Sequence, residues 1–204
     1  MSPEGETHHA LARAVGYDLA GLRTCRQVHG AAVCVDPHPG EGTRLEADAL
    51  VLRAGGAVAV RTADCASILL GDPRTGAVAA VHAGWRGVVA GVIPAAVSAL
   101  VGARGGELRA ALGPCIGPCC FEVGPEVAAA LSDACGVDVS RPGRGARPHV
   151  DLGAAVLAQL AARGVQGVET VGGCTVCAPT GWHSYRRDAA RSGRMLAVIQ
   201  ASQR

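Results

Sequence analysis

Three positions in the sequence carry side chains suited to a metal with an open coordination position. His29 stands in Gln27-Val28-His29-Gly30, Cys65 in Thr62-Ala63-Asp64-Cys65, and His82 in His82-Ala83-Gly84-Trp85-Arg86-Gly87. Each lies at or beside the end of a short apolar run that reads as a strand, where rigid backbone can hold a side chain at a sheet edge. Two imidazoles and a thiolate are a borderline-soft donor set that suits zinc. Three protein ligands leave a fourth position for water or substrate, as catalytic zinc sites do. The wide spacing matches no local metal motif, so two satisfied core histidines and a buried thiol are the alternative reading. Gln27 and Asp64 adjoin ligand positions and are candidates for orienting them, although strand alternation would turn them the other way.

A rival donor set lies further on. Cys115-Ile116-Gly117-Pro118-Cys119-Cys120 supplies three thiols, and Cys174-Thr175-Val176-Cys177 has the spacing of a zinc knuckle. Two thiolate pairs could close a structural zinc site. A redox pair at Cys174 and Cys177 and plain packing of small apolar thiols are the other readings. Two Arg-bearing segments offer anion contacts. In Ala83-Gly84-Trp85-Arg86-Gly87 the glycines allow close backbone approach before a helix start, and Arg86 adds a forked donor, a combination that suits phosphate. Ser184-Tyr185-Arg186-Arg187-Asp188 sets two guanidiniums beside an aromatic ring, which suits a phosphate or a base, with a structural Arg–Asp pair as the alternative. His8, His9, His38 and His149 sit in polar or Pro/Gly-rich surroundings and are expected at the surface.

Elements must hold these residues in place. Short apolar runs bounded by turn residues at Ala31–Val35, Ala49–Leu52, Ala57–Val60, Ser67–Leu70, Ala77–Val81 and Leu108–Leu112 read as strands, as do Val165–Val171 and Met195–Ile199. Gly71–Gly76 reads as a hairpin loop. Asp151 can cap a helix that Gly164 ends, and Gly124-Pro125-Glu126 can open another. Leu11–Val15 suits a third helix. The uncharged stretch Gly87–Ala103 falls just short of a membrane span and, carrying Pro94, reads as a buried helix or helix pair. Arg141–Arg147 reads as a loop. Hairpins mixed with helices point to an α/β single domain of mixed sheets covered by helices.

Composition narrows the function. The 204 residues are 49% hydrophobic and 18% charged, enough for one domain with a substantial core. All 19 basic residues are Arg, which excludes a Schiff-base lysine and a Walker-type phosphate lysine. A net charge of +2 gives no footprint for nucleic acid or an acidic membrane. Nine cysteines, an odd number, and a polar start without an apolar signal core lead one to expect a reducing cytoplasm.

Taken in order, the Gln-Val-His-Gly, Thr-Ala-Asp-Cys and His-Ala-Gly-Trp-Arg-Gly blocks, Leu112-Gly113-Pro114-Cys115-Ile116-Gly117-Pro118-Cys119-Cys120-Phe121-Glu122-Val123, and Ser184–Asp188 resemble the YfiH/laccase-domain family, known by the names polyphenol oxidase and purine nucleoside phosphorylase. The likeness runs from about Leu11 to Ile199. It implies a single-domain layered α/β sandwich with mixed β-sheets, grouped with cysteine-hydrolase-like folds. It also implies His29, Cys65 and His82 as ligands of zinc, with copper as the alternative metal, and does not use the other cysteines as ligands. Members begin with a further strand and loop, carrying Thr-Arg-x-Gly-Gly-Val-Ser and Asn-Leu blocks. Residues 1–204 are therefore expected to be one such domain without that N-terminal segment. The implied chemistry is phosphorolysis of adenosine, inosine, guanosine or methylthioadenosine, and deamination of adenosine. Cys65, Asp64 and Arg86 are the expected catalytic residues, with Cys65 a ligand before it is a nucleophile. Gln27, Arg86, Arg186 and Arg187 are expected to contact the nucleoside and phosphate. Copper-dependent phenol oxidation, hydrolytic editing of a cell-wall precursor, and a non-catalytic zinc-binding module are the competing readings.

Overall fold

The apolar runs of the sequence become strands, the central ones (Ala49–Leu52 and Val78–Ala83) buried on both faces. The computed structural model describes residues 9–14, 16–101, 107–143, 145–178 and 180–202. Its strands are β1 (Leu22–Arg23), β2 (Val33–Val35), β3 (Ala49–Leu52), β4 (Ala57–Thr62), β5 (Ala66–Gly71), β6 (Val78–Ala83), β7 (Arg109–Leu112), β8 (Ser140–Arg141), β9 (His149–Val150), β10 (Gly167–Thr170) and β11 (Met195–Gln200). A mixed six-stranded sheet runs in the order β10-β7-β5-β6-β3-β2, and a three-stranded sheet in the order β1-β4-β11. The helices are α1 (residues 9–14), α2 (Trp85–Ala90), α3 (Val92–Val101), α4 (Pro125–Cys135), α5 (Leu152–Ala162) and α6 (Tyr185–Asp188).

Alternation along the strands sorts the layers. Ala49, Val51, Ile68, Leu70, Ala79 and Val81 face the helices, where they meet Val92, Ile93, Leu131, Leu152, Val156 and Leu160. Their neighbours Leu50, Leu52, Val78 and Ala80 turn the other way, onto Val58 and Val60 of the three-stranded sheet. The result is a three-layer α/β sandwich with mixed sheets, as the sequence and its family resemblance lead one to expect. With so few aromatic residues, close-packed Ala, Val and Leu fill both interfaces.

Local signals act where they stand. The Asp151 carboxylate accepts from the Ala154 N–H at 2.9 Å and caps α5. In the β5–β6 hairpin, Asp72 accepts from the Arg74 N–H and the Thr75 hydroxyl. Within Gly87–Val101 the expected helix pair is α2 and α3, broken where Gly91 takes φ +85. Pro94 lies in the first turn of α3, where its missing N–H leaves no bond unmade. Ala103 and Val15, ends of two expected helices, and Arg144, inside the expected Arg141–Arg147 loop, lie outside the described residues. That loop joins β8 to β9, a pair too short to register as a pattern. Among the described residues no helix is long and apolar enough to cross a membrane.

Candidate metal centre

Strand parity assembles the ligands. His82 follows Val78 and Ala80 on the face of β6 that looks toward the three-stranded sheet, and pairs across the ladder with Ser67 of β5. Cys65, two residues before Ser67, leaves β5 on the same face. His29 reaches the pair from the loop before β2, where its own backbone takes φ +61. Ligand atoms of His29, Cys65 and His82 lie within 4.8 Å of one another. The two imidazoles meet edge to face, with ring centroids 4.8 Å apart. A Cβ on Gly84 would stand 2.9 Å from the Cys65 sulfur and 3.1 Å from His29 Cδ2, so glycine is what lets the three close together. Gly84→Ala is therefore expected to weaken metal binding about tenfold or more while shifting the thermal midpoint little, as read by chelator competition and calorimetry.

Asp48, which the sequence reading passed over, organises this centre. It is fully buried. One carboxylate oxygen lies 2.8 Å from His82 Nδ1 and accepts from the His29 N–H at 2.9 Å; the other accepts from the Gly30 N–H at 2.7 Å. Nδ1 donates to Asp48, so His82 presents Nε2 toward a metal, the carboxylate–histidine arrangement of zinc sites. Burial pushes the Asp48 carboxyl up, but the His82 bond and the Gly30 and His29 N–H groups outweigh it and hold it below the usual range. Burial works against the His82 imidazolium, yet hydrogen bonds to Asp48 and Cys65 lift it to about 9. Burial raises the Cys65 thiol, and hydrogen bonds to His29 and His82 overcome this to bring it to about 7. The visible signal was an acid directly before the wholly buried Ala49–Leu52 run, placed to pair across the sheet with His82.

The centre opens into a cavity of about 760 Å³. Trp85, Ile116, Phe121 and Tyr185 supply apolar lining, and Arg26, Arg61, Arg186 and Arg194 supply charge. The Arg61 guanidinium has no hydrogen bond or salt bridge among the described residues, whereas Arg26 is paired with Glu46. Gln27 lines the wall, but its amide is tied at both ends to the Arg61 backbone: Nε2 donates to the carbonyl at 2.7 Å and Oε1 accepts from the N–H at 2.8 Å. Asp64, at φ +80, also lines the cavity with both oxygens engaged, by the Thr175 hydroxyl at 2.6 Å and the Arg186 N–H at 2.5 Å. Through these bonds Asp64 fastens the loops bearing Thr175 and Arg186 to the wall of the cavity. Arg186 reaches the cavity with its guanidinium donating to the Cys120 and Glu122 carbonyls and lying 5.7 Å from the Phe121 ring.

Two expected contacts fall elsewhere. Arg86 is exposed, stacked 4.5 Å over Trp85, and does not line the cavity. Arg187 turns away from it, donating to Asp188 and to the carbonyls of Thr175, Val176, Ala178 and Trp182. Of the histidines expected at the surface, His9 and His38 are exposed and His8 lies outside the described residues. His149 is only partly exposed, its Nδ1 2.7 Å from the Pro118 carbonyl. The rival cysteines gather as four, with sulfurs of Cys119, Cys120, Cys174 and Cys177 within 4.8 Å of one another. Cys115 stays apart, its thiol pushed up to about 12 by burial and by the Asp151 charge.

The fold is a mixed-sheet α/β sandwich that gathers His29, Cys65 and His82 as a group that could hold a metal ion. The chain belongs to the family described as multi-copper polyphenol oxidoreductase laccase, whose pattern it matches over residues 5–202. It is 39% identical over 200 residues to a Deinococcus radiodurans protein named purine nucleoside phosphorylase, covering 97% of this chain and 77% of the relative. It is also 39% identical over 206 residues to a protein from an unknown prokaryotic organism named adenosine deaminase, covering 93% and 78%. Among solved structures, YlmD of Geobacillus stearothermophilus superposes with a TM-score of 0.87 at 30% identity, over 96% of this chain and 78% of that one.

Proposed function

We propose that this chain is a zinc-dependent enzyme of purine nucleosides that cleaves the N-glycosidic bond with phosphate and also deaminates adenosine. One observation carries the reading: a single cavity joins the His29–Cys65–His82 donor set, the Arg61 guanidinium, which has no hydrogen bond or salt bridge among the described residues, and the rings of Trp85, Phe121 and Tyr185. Relatives named for both activities support it. The donor set fits zinc: two imidazoles and a low thiol converge, Asp48 fixes one tautomer, and the Gly84 cradle admits them. Copper is less suited to the implied oxidase chemistry, because His38 and His149 stand away from this single His2Cys group and no multi-copper cluster is built from the described residues.

When bound, zinc would supply Lewis-acid stabilisation of an oxygen nucleophile or of developing negative charge. The chain's own residues then orient the substrate. The aromatic rings flank a planar base, while Arg61 and Arg194 can hold phosphate against the sugar. In phosphorolysis a phosphate oxygen bonds the anomeric carbon as the bond to the base breaks, and the base takes up a proton. In deamination water adds at C6 and ammonia leaves. Chromatographic assay of inosine and adenosine, with and without phosphate, tests both. Phosphate-dependent release of base is expected; no release from zinc-replete protein would sink the phosphorylase reading. Arg61→Ala is expected to raise KM for phosphate by about tenfold or more, the loss of one charge-assisted contact, and to leave adenosine deamination within a fewfold.

A further inference from the structure

We propose that Cys119, Cys120, Cys174 and Cys177 form a second, tetrathiolate zinc site that clamps the loop bearing Ile116 and Phe121, which line the cavity, to the loop that follows β10. It stands on its own geometry and does not depend on the nucleoside reading. The four sulfurs lie within 4.8 Å of one another, and Cys177 is 3.4 Å from both Cys119 and Cys120. Zinc–sulfur bonds of about 2.3 Å in a tetrahedron set sulfurs about 3.8 Å apart, inside that spread. An iron–sulfur cluster would stand between its thiolates and hold them further apart. All nine cysteines are free, so no disulfide accounts for the gathering. The donors come as one adjacent pair and one C-x2-C knuckle, brought together across 57 and 58 residues of chain.

The surroundings are built for charge. The Gly117 N–H donates to the Cys174 sulfur at 3.3 Å. A side chain at Gly117 would crowd the pair, since its Cβ would meet Cys174 Cβ at 3.0 Å and the Cys119 sulfur at 3.4 Å. Arg187 closes the knuckle from behind, its guanidinium 2.8 Å from the Thr175 carbonyl and 3.4 Å from those of Val176 and Ala178. The same guanidinium is paired with the Asp188 carboxylate, so its part here is to hold the backbone of the knuckle in place. The same knuckle reaches the first centre, because Thr175, between its two cysteines, donates to Asp64, the residue before Cys65. From the other loop, the Cys120 carbonyl accepts from Arg186, whose N–H holds the second Asp64 oxygen.

The test is metal stoichiometry and cobalt substitution on the full chain. Protein loaded with zinc and freed of loosely bound metal is expected to hold two ions per chain, and Cys119→Ser/Cys177→Ser one. Cobalt-loaded wild type should show the intense visible bands of a tetrathiolate centre. His82→Ala should keep those bands while losing the other metal. A wild-type ion count that Cys119→Ser/Cys177→Ser leaves unchanged, a cobalt spectrum without tetrathiolate bands, or mass spectrometry placing these four cysteines in disulfides would overturn the proposal. If the double serine variant does not fold, the wild-type cobalt spectrum decides alone. None of these readouts uses turnover, so failure of the nucleoside reading would leave them intact.

Discussion

Cys65→Ser is expected to strip metal from the His29–Cys65–His82 centre and to lower kcat/KM for adenosine by on the order of 10³-fold, about 4 kcal/mol of transition-state stabilisation. The thiol titrates near 7 because both imidazoles bond to it, so at neutral pH a thiolate is within easy reach as a ligand. A serine hydroxyl in the same place stays protonated and offers a hard, neutral oxygen where a soft anion stood. Metal content and turnover are to be measured on one preparation, with a thermal melt to show that it is folded. Loss of both, with partial recovery of turnover at high added zinc, identifies Cys65 as a ligand. Full metal with no turnover would instead make it a nucleophile. The scaffold is not expected to suffer, because the side chain projects beyond the end of β5 and packs in neither main core cluster.

What could be read from the chain follows a physical divide. β3 occupies Ala49–Leu52 as expected, since four apolar residues bounded by an acid and an arginine have one way to be buried. The caps at Asp151 and Gly124-Pro125 are local chemistry and stand where they were expected. Residues whose direction depends on neighbours distant in sequence are another matter. His29 and Asp64 take positive φ, so strand alternation says nothing reliable about where they point. Arg86 and Arg187 carry the same charge as Arg61. Arg86 stacks on its own sequence neighbour Trp85, whereas loop carbonyls hold Arg187 behind the cysteine knuckle and Arg61 stands on the cavity wall without a hydrogen bond or salt bridge among the described residues. Arg61 in turn depends on Gln27, whose amide substitutes for a strand partner across 34 residues. The two cysteine groups are legible in the sequence as halves of one candidate zinc site, but which four of the five gather shows only when β7 and β10 lie side by side and bring their following loops together.

Asp48 shows that divide most sharply, and its replacement should have the largest effect on the fold. Asp48→Ala removes the acceptor for the His29 and Gly30 N–H groups and for His82 Nδ1 at a site closed to water. Stranding these donors is expected to cost about 3–5 kcal/mol in urea unfolding of the metal-free protein. Asp48→Asn separates packing from electrostatics. The amide keeps the shape and one acceptor oxygen, but its NH2 must face either the Gly30 N–H or the side shared by the His29 N–H and His82 Nδ1. If it faces His82, the imidazole is driven to the tautomer that carries its proton on Nε2, the nitrogen a metal needs bare. The expected result is a folded protein whose zinc affinity falls about 10–100-fold in chelator competition, with kcat recovering as zinc is raised. Wild-type affinity in Asp48→Asn would mean that the loop N–H groups alone explain the buried carboxylate, and that His82 finds its orientation from the walls around it.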